Sequence, residues 1–190
     1  MCGSSPASAT SRRCHQVEGL VVEECDSNHD SIGYHLNTTM GLVIRSSKIH
    51  ETGCYTTAPI RQGTRVIEYT GERITVDEAD ERYDGCFETY LFGLSDGKYV
   101  IDGDGVAAFI NHSCEPNCEV DEIDGRIHII ATRDIAVGEE LTYDYNLYDG
   151  GEDDESPCSC GAKRCRGSLF SEEELARRGR RTNGSKKSSV

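Results

Sequence analysis

The sequence is organised around ten residues, Phe109-Ile110-Asn111-His112-Ser113-Cys114-Glu115-Pro116-Asn117-Cys118. This stretch combines an asparagine, a histidine and two cysteines with a proline. Asn, Ser and Pro are ordinary turn formers and a cysteine is often a small buried hydrophobe, so a plain turn is one interpretation. Two later segments favour a functional interpretation instead: residues 139–145, which read EELTYDY, and residues 158–165, which read CSCGAKRC.

The composition indicates one acidic domain with small appendages. The chain has 190 residues and a mean hydropathy of −0.55, and it contains no run of about 18 apolar residues that could span a bilayer. The net charge is −14, and the last fourteen residues hold six basic groups and no acid, which leaves 14 basic against 34 acidic groups in the rest. A body this acidic is not expected to bind nucleic acid through phosphates. It would attract a basic peptide, although solubility alone could also explain the charge.

Short apolar runs alternate with turn residues, which predicts a mostly β fold of several small sheets with short helices. Strands are predicted at 20–22, 42–44, 54–57 and 66–69, a helix at 77–83, one helical turn at 106–110, and hairpins around Asp96-Gly97 and Asp124-Gly125. Ser171 and Glu174 are spaced as a capping box for a terminal helix.

Changes in composition predict the boundaries of the segments. They are an N-terminal extension at 1–40, partly disordered and without a secretory signal; a main domain at 41–148; an acidic linker at 149–156; a cysteine-rich segment at 157–173; and a basic tail at 174–190, expected to be disordered beyond Arg177.

The cysteines predict a metal site. Ten cysteines without a secretory signal argue against a disulfide framework. Cys158, Cys160 and Cys165 supply three thiolates in eight residues, and tetrahedral structural zinc needs four ligands. A fourth ligand must therefore come from elsewhere in the chain.

In order and spacing, three segments resemble those of the SET-domain protein lysine methyltransferases. Residues 111–114 resemble the Asn-His-Ser-Cys core of that family, residues 141–145 its catalytic tyrosine segment, and residues 158–165 its zinc-binding post-SET tail. The resemblance covers roughly residues 41–167. It implies a SET-domain fold with a C-terminal pseudoknot, followed by a zinc-bound post-SET segment. It also implies methyl transfer from S-adenosylmethionine to a lysine of a protein substrate.

The resemblance also implies a role for individual residues. Those residues are Thr52, Gly53, Cys54, Tyr90, Asn111, His112 and Tyr145 for the cofactor; Tyr145, Tyr143 and Tyr90 for catalysis; and Cys114, Cys158, Cys160 and Cys165 for zinc, with Cys118 as the alternative to Cys114. Tyr145 would orient the amine and the methyl group. Tyr143 would shape the lysine channel, and its hydroxyl predicts mainly monomethylation with some dimethylation.

Two departures from the family pattern keep an alternative function open. Glu51 stands where the family has the first glycine of a Gly-x-Gly segment, and Ala108 stands where family members often have arginine. They favour a catalytically weak SET domain that acts as a binding module, and a structural zinc-knuckle adaptor is a third hypothesis. For the enzyme, the expected substrate is a basic segment such as a histone tail. The expected location is the nucleus if the chain is eukaryotic and the cytoplasm otherwise. The oligomeric state is not predicted.

Overall fold

The computed structural model describes the backbone of residues 33–34, 41–86, 89–148 and 154–185, and the side chains of 41–86, 89–148 and 154–179. The predicted strand at 20–22 lies outside the described residues, and so does the N-terminal extension expected at 1–40 to be partly disordered, except for residues 33–34. Neither described helix is long and apolar enough to cross a membrane.

Strands dominate the described part of the chain. In chain order the elements are β1 (Gly33–Tyr34), β2 (Leu42–Ser46), β3 (Thr52–Thr56), β4 (Arg65–Tyr69), β5 (Gly71–Thr75), α1 (Val76–Arg82), β6 (Leu91–Gly93), β7 (Tyr99–Gly103), a 3-10 turn (Val106–Phe109), β8 (Asn111–His112), β9 (Cys118–Ile123), β10 (Arg126–Ala131), β11 (Thr142–Tyr143) and α2 (Glu172–Ser185). Four small sheets have the orders β1-β2-β3, β4-β10-β9, β5-β7-β6 and β11-β8. The predicted mostly β fold of several small sheets is confirmed.

The two hairpins and the first helix that the sequence predicts are present in the structure. Asp124 and Gly125 both adopt positive φ, 52° and 72°, as a tight turn between β9 and β10 requires. The hairpin around Asp96-Gly97 joins β6 to β7. At the start of α1, the Thr75 hydroxyl accepts from the Glu78 N–H at 3.2 Å, and the Glu78 carboxylate accepts from the Thr75 N–H at 2.8 Å. This reciprocal capping box fixes where the helix begins.

The core lies between the sheets and the segment that leads into β11. Ile127 and Ile129 of β10, Ile110 and Leu141 are each at most 1% exposed. Burying an aliphatic side chain of this size contributes about 1.5–3 kcal/mol. This packing holds β11, which carries Tyr143, against the rest of the domain.

The terminal helix α2 extends further than the sequence predicts. Its backbone is helical from Glu172 to Ser185, so the disorder expected beyond Arg177 is wrong for residues 178–185. The Glu174 N–H donates to Ser171 Oγ at 3.1 Å as expected, but the Glu174 carboxylate binds Arg177 and Arg178 instead of closing the capping box. Acidic residues in the first turn match the helix dipole, and the pairs one turn apart add to its stability.

Candidate active site and metal centre

A two-stranded parallel ladder brings the two most informative sequence segments together. Thr142 of β11 pairs with Asn111 of β8, and Tyr143 pairs with His112. The buried Asn117 fastens the loop between β8 and β9 over this ladder. Its Nδ2 donates to the Glu140 carbonyl at 2.7 Å, and its Oδ1 accepts from the Thr142 N–H at 2.9 Å. These bonds join the loop at 113–117 to residues 140–142, which is where the sequence predicts the pseudoknot.

Tyrosine and phenylalanine rings form a continuous cluster beside the ladder. The centroids of Tyr143 and Tyr145 are 4.9 Å apart, those of Tyr143 and Phe92 are 6.1 Å apart, and those of Tyr69 and Phe92 are 5.4 Å apart. Burial raises the pKa of both Tyr143 and Tyr145 well above the ordinary value, so both hydroxyls stay protonated at neutral pH. The cluster therefore offers phenolic O–H groups in an apolar setting.

The hydroxyls of Tyr143 and Tyr145 differ in their bonding. Tyr145 Oη donates to the Ile110 carbonyl at 3.1 Å. Tyr143 is only 8% exposed, yet its hydroxyl makes no hydrogen bond within the described part of the chain and is not fully sealed from solvent. A buried hydroxyl without a partner is costly unless a ligand or water completes its bonding. Tyr143 therefore presents an unsatisfied polar atom to the space beside Tyr145.

Tyr90 joins the same region from the chain segment before β6. Its ring lies 5.7 Å from that of Phe109, and its carbonyl accepts the Tyr69 hydroxyl at 2.7 Å. A charge on Tyr90 would raise the pKa of Tyr145, so the two side chains are close in space. The structure thus brings together all three tyrosines that the sequence singled out.

His112 is a neutral, structurally fixed imidazole. It is 2% exposed, and burial lowers its pKa to about 4, although Asp144 opposes this shift. Nδ1 accepts from the Tyr145 N–H at 3.1 Å, so the ring proton resides on Nε2, which lies 3.4 Å from Cys114 Sγ. The imidazole therefore acts as an acceptor toward Tyr145 and a donor toward sulfur.

Four cysteine sulfurs converge at the end of β8. Cys114 Sγ lies 3.8 Å from Cys158 Sγ and 3.9 Å from Cys165 Sγ, and the Cys114 N–H lies 3.5 Å from Cys160 Sγ. With a Zn–S bond of about 2.3 Å, a tetrahedron of sulfurs has edges of about 3.8 Å. Burial raises the pKa of Cys160, but backbone N–H groups and the neighbouring thiols outweigh it and lower that pKa to about 6. The donor set and its spacing fit structural zinc.

His112 is the competing candidate for the fourth ligand. Ligand atoms of His112, Cys114, Cys158 and Cys160 all lie within 4.8 Å of one another. However, His112 Nε2 carries the proton that its bond to Tyr145 dictates, and a metal ligand needs a free lone pair. The four cysteines are therefore the more suitable set. Cys118, the alternative from the sequence, is fully buried in the core instead, where burial raises its pKa to about 12.

The predicted cofactor segment on β3 has a different environment from the one expected. A Cβ at Gly53 would lie 2.2 Å from Glu140 Oε1 and 2.9 Å from Asn111 Nδ2, so these side chains occupy the free face of the glycine. Thr52 is half-buried, and its carbonyl accepts a hydrogen bond from Asn111 Nδ2. The Cys54 side chain is fully buried and its carbonyl accepts from the Leu141 N–H at 2.8 Å. Cys54 therefore supports the fold and offers little to a ligand.

The two departures from the family pattern leave the local backbone intact. Glu51 is exposed, and its carbonyl accepts from the Ser47 N–H at 3.1 Å within the turn between β2 and β3. Its φ is not positive, so no glycine is needed there. Ala108 is partly buried and packs on the core.

Sequence reasoning missed the contacts that fasten the cysteine-rich segment to the domain. Arg166 binds both oxygens of Asp144, at 2.6 and 2.5 Å, and its Nε donates to the Phe170 carbonyl at 2.8 Å. Phe170 is 1% exposed. Asp144 lies between Tyr143 and Tyr145 in sequence, and Arg166 lies in Cys165-Arg166-Gly167. The acid of the first motif and the arginine of the second were the signal available. Glu140, which contacts Asn111, was also missed.

Comparison with known proteins identifies the family. A family model described as "SET domain" matches residues 51–146. "Histone-lysine N-methyltransferase trithorax" of Drosophila virilis is 48% identical, in an alignment that covers 63% of this chain and 3% of that protein.

Two further relatives come from a fungus and a plant. "Histone-lysine N-methyltransferase, H3 lysine-4 specific" of Eremothecium gossypii is 43% identical, over 65% of this chain and 14% of that protein. "Histone-lysine N-methyltransferase ATXR7" of Arabidopsis thaliana is 45% identical, over 64% of this chain and 9% of that protein. The chain spans at most 14% of the length of these three relatives. The ladder, the tyrosine cluster and the matched residues lead to one conclusion: the chain belongs to the SET domain family.

Proposed function

We propose that the chain is a protein-lysine N-methyltransferase that uses S-adenosylmethionine. The observation that carries the proposal is the parallel pairing of β8 with β11, which puts His112 beside Tyr143 and is followed by the bond from the Tyr145 N–H to His112. The names of the relatives support the same reaction class. In this proposal, residues 41–148 form the catalytic domain and residues 157–173 the post-SET zinc segment.

Two polar atoms beside the β8–β11 ladder lack a hydrogen-bond partner in the described part of the chain, which favours the binding of a ligand there. Asn111 is 7% exposed and Tyr143 8%, yet within the described residues neither Asn111 Oδ1 nor Tyr143 Oη has a hydrogen-bond partner, and neither is fully sealed. S-adenosylmethionine, when bound, supplies a methyl group on a positively charged sulfur. Asn111 Oδ1 is suited to accept from its ammonium group.

The protein's own contribution is to orient the lysine amine and strip it of water. The tyrosine cluster forms an apolar wall, and desolvation lowers the pKa of a lysine amine so that it loses its proton. Tyr145, held by Ile110 and by its backbone bond to His112, would position the amine for in-line displacement. Holding two reactants in line can contribute up to about 7–11 kcal/mol.

Zinc would be held by Cys114, Cys158, Cys160 and Cys165. The metal would tie the cysteine-rich segment to the end of β8, because three ligands come from that segment and one from the loop after β8. Metal binding would add its free energy to the folding of this segment. Arg166 and Asp144 fasten the same segment on the side of the tyrosines.

The substrate we propose is a lysine in a basic protein segment, with a histone tail as the leading class. The acidic body, which carries 14 basic against 34 acidic groups outside the last fourteen residues, favours encounter with a basic peptide. The relatives' names support a histone substrate, and for a eukaryotic chain the proposal includes a nuclear location. Tyr143 favours mainly monomethyl-lysine with some dimethyl-lysine.

The test is methyl transfer from radiolabelled S-adenosylmethionine to mixed core histones by the zinc-loaded chain, with cofactor binding measured by titration calorimetry. Transfer and binding together are the expected result. Binding without transfer to histones or to other basic proteins would favour the weakly catalytic binding module. Zinc-dependent folding without cofactor binding would favour the adaptor.

A further inference from the structure

The Glu140 carboxylate lies across β3 and is held by three neutral donors. Oε1 accepts from Ser47 Oγ at 2.8 Å and from Asn111 Nδ2 at 2.8 Å, and Oε2 accepts from Tyr55 Oη at 2.9 Å. Glu140 forms no salt bridge with any residue in the described part of the chain. Its negative charge is therefore fixed in place without a direct ion pair among the described residues; the Arg45 guanidinium lies over the Tyr55 ring, 6.0 Å from the ring centroid.

The backbone around Glu140 builds this arrangement. The next residue, Leu141, donates its N–H to the Cys54 carbonyl at 2.8 Å, and the Glu140 carbonyl accepts from Asn117 Nδ2 at 2.7 Å. A Cβ at Gly53 would lie 2.2 Å from Glu140 Oε1, so the glycine makes room for the carboxylate. The contact between Glu140 and Asn111 thus depends on the fold and not on a mobile surface side chain.

Glu140 also decides which way the Asn111 amide faces. Asn111 Nδ2 donates one hydrogen to the Thr52 carbonyl at 2.8 Å and the other to Glu140 Oε1 at 2.8 Å. Rotating the amide by half a turn would set Oδ1 against two acceptors, which is repulsive. Oδ1 is therefore directed away from both. It accepts no hydrogen bond from the described residues and keeps access to solvent.

We propose that Glu140 is a positioning residue of the cofactor site, which presents Asn111 Oδ1 as an acceptor and places a negative charge behind it. This inference rests on the proposed function. The two effects act together in favour of a cationic ligand. S-adenosylmethionine carries one more positive charge than its product S-adenosylhomocysteine, which has a neutral sulfur. Glu140 therefore favours the methyl donor over the spent product.

The experiment measures the affinity of the zinc-loaded full chain for both ligands by titration calorimetry. Glu140→Gln keeps the shape of the side chain and removes its charge. Glu119→Gln is the matched control, because Glu119 is exposed on β9 and its side chain makes no hydrogen bond within the described residues. Glu140→Gln should weaken S-adenosylmethionine binding by about tenfold or more and weaken S-adenosylhomocysteine binding less. Glu119→Gln should change neither affinity.

A kinetic comparison separates positioning from a general loss of structure. Because Glu140→Gln leaves Tyr143 and Tyr145 in place, kcat at saturating cofactor should fall less than kcat/KM for the cofactor. In a double-mutant cycle with Asn111→Ala, the loss caused by Glu140→Gln should be clearly smaller than in the unmodified chain, since Glu140 acts partly through Asn111; the loss that remains for S-adenosylmethionine is the direct effect of the charge. If Glu140→Gln does not fold, the double variant Ser47→Ala/Tyr55→Phe gives the same test, because it frees the carboxylate and should also weaken S-adenosylmethionine binding.

Several results would overturn the inference. They are equal weakening of both ligands, additive losses in the cycle, or unchanged affinity in Glu140→Gln or, if that does not fold, in the double variant. If the unmodified chain binds no S-adenosylmethionine, the proposed function fails, and the positioning role fails with it. If the unmodified chain binds and the variants match it, the positioning role alone fails.

Discussion

Replacing Tyr143 with phenylalanine separates the stability of the site from its product. The Tyr143 ring packs between Tyr145 and Phe92, with centroid distances of 4.9 and 6.1 Å, and phenylalanine keeps this packing. Because the hydroxyl makes no hydrogen bond within the described residues, the substitution removes no bond from the folded protein. The free energy of unfolding should therefore change by less than about 1 kcal/mol.

The effect on the product should be much larger than the effect on stability. In the proposed channel, the Tyr143 hydroxyl bonds the lysine amine or a water beside it. A methyl-lysine must break this bond before it can realign, which leaves one polar group unpaired at a cost of about 1–3 kcal/mol. This slows the second transfer by about tenfold to a hundredfold relative to the first. Tyr143→Phe should remove that penalty and shift the product towards dimethyl- and trimethyl-lysine while the first transfer continues.

The assay follows a basic peptide with a single lysine by mass spectrometry and compares the rates of the first and second transfers. Tyr99→Phe is the matched control, because Tyr99 is a half-buried tyrosine of β7. The distance from its ring centroid to Arg73 Cζ is 4.3 Å. Tyr99→Phe should leave the product unchanged. Abundant trimethyl-lysine from the unmodified chain, or an unchanged product distribution in Tyr143→Phe, would refute the reasoning.

Three other predictions follow from the same geometry. Tyr145→Phe removes the bond to the Ile110 carbonyl, so thermal melts should show a loss of about 1 kcal/mol while methyl transfer largely vanishes; near-normal turnover would remove Tyr145 from the mechanism. Metal analysis should give one zinc per chain, lost in Cys114→Ser and kept in Cys118→Ser, and the reverse pattern would make the ligand set wrong. Burial lowers the pKa of His112 to about 4, below its unfolded value of about 6.5, so the unfolded chain binds more protons between these pH values. The stability that neutral His112 contributes is therefore lost as pH falls from 6.5 towards 4. Denaturant titrations should show that the free energy of unfolding falls over this range, and His112→Asn should reduce the fall.

The sequence predicted local structure well where one physical rule dominates. The Asp124-Gly125 turn adopts the positive φ angles that its residues favour, and the helix predicted at 77–83 is present at 76–82, with a threonine cap that was not predicted. The end of α2 was predicted less well. Its polar, basic composition is typical of a disordered tail, but Glu174 holds Arg177 and Arg178 one turn away and the backbone stays helical to Ser185.

The candidate site was predictable as a set of residues but not as a network. Cys114 and Cys118 lie close together in the sequence, and the family resemblance favours Cys114; the fold places Cys114 in the cluster at the end of β8 and Cys118 in the core. The Glu140 contact with Asn111 joins residues 29 positions apart, and it depends on the free face of Gly53. No periodicity or spacing rule predicts such contacts, because they arise where segments distant in the chain pack together.

The most direct test of the central claim is tandem mass spectrometry of a basic peptide with a single lysine after incubation with the zinc-loaded chain and S-adenosylmethionine. A peptide with arginine in place of the lysine, and the Tyr145→Phe chain, serve as the two controls. The account predicts monomethylation of the lysine ε-amine, with little dimethyl-lysine, and no transfer in either control. A methyl group on arginine, or equal transfer by Tyr145→Phe, would contradict it.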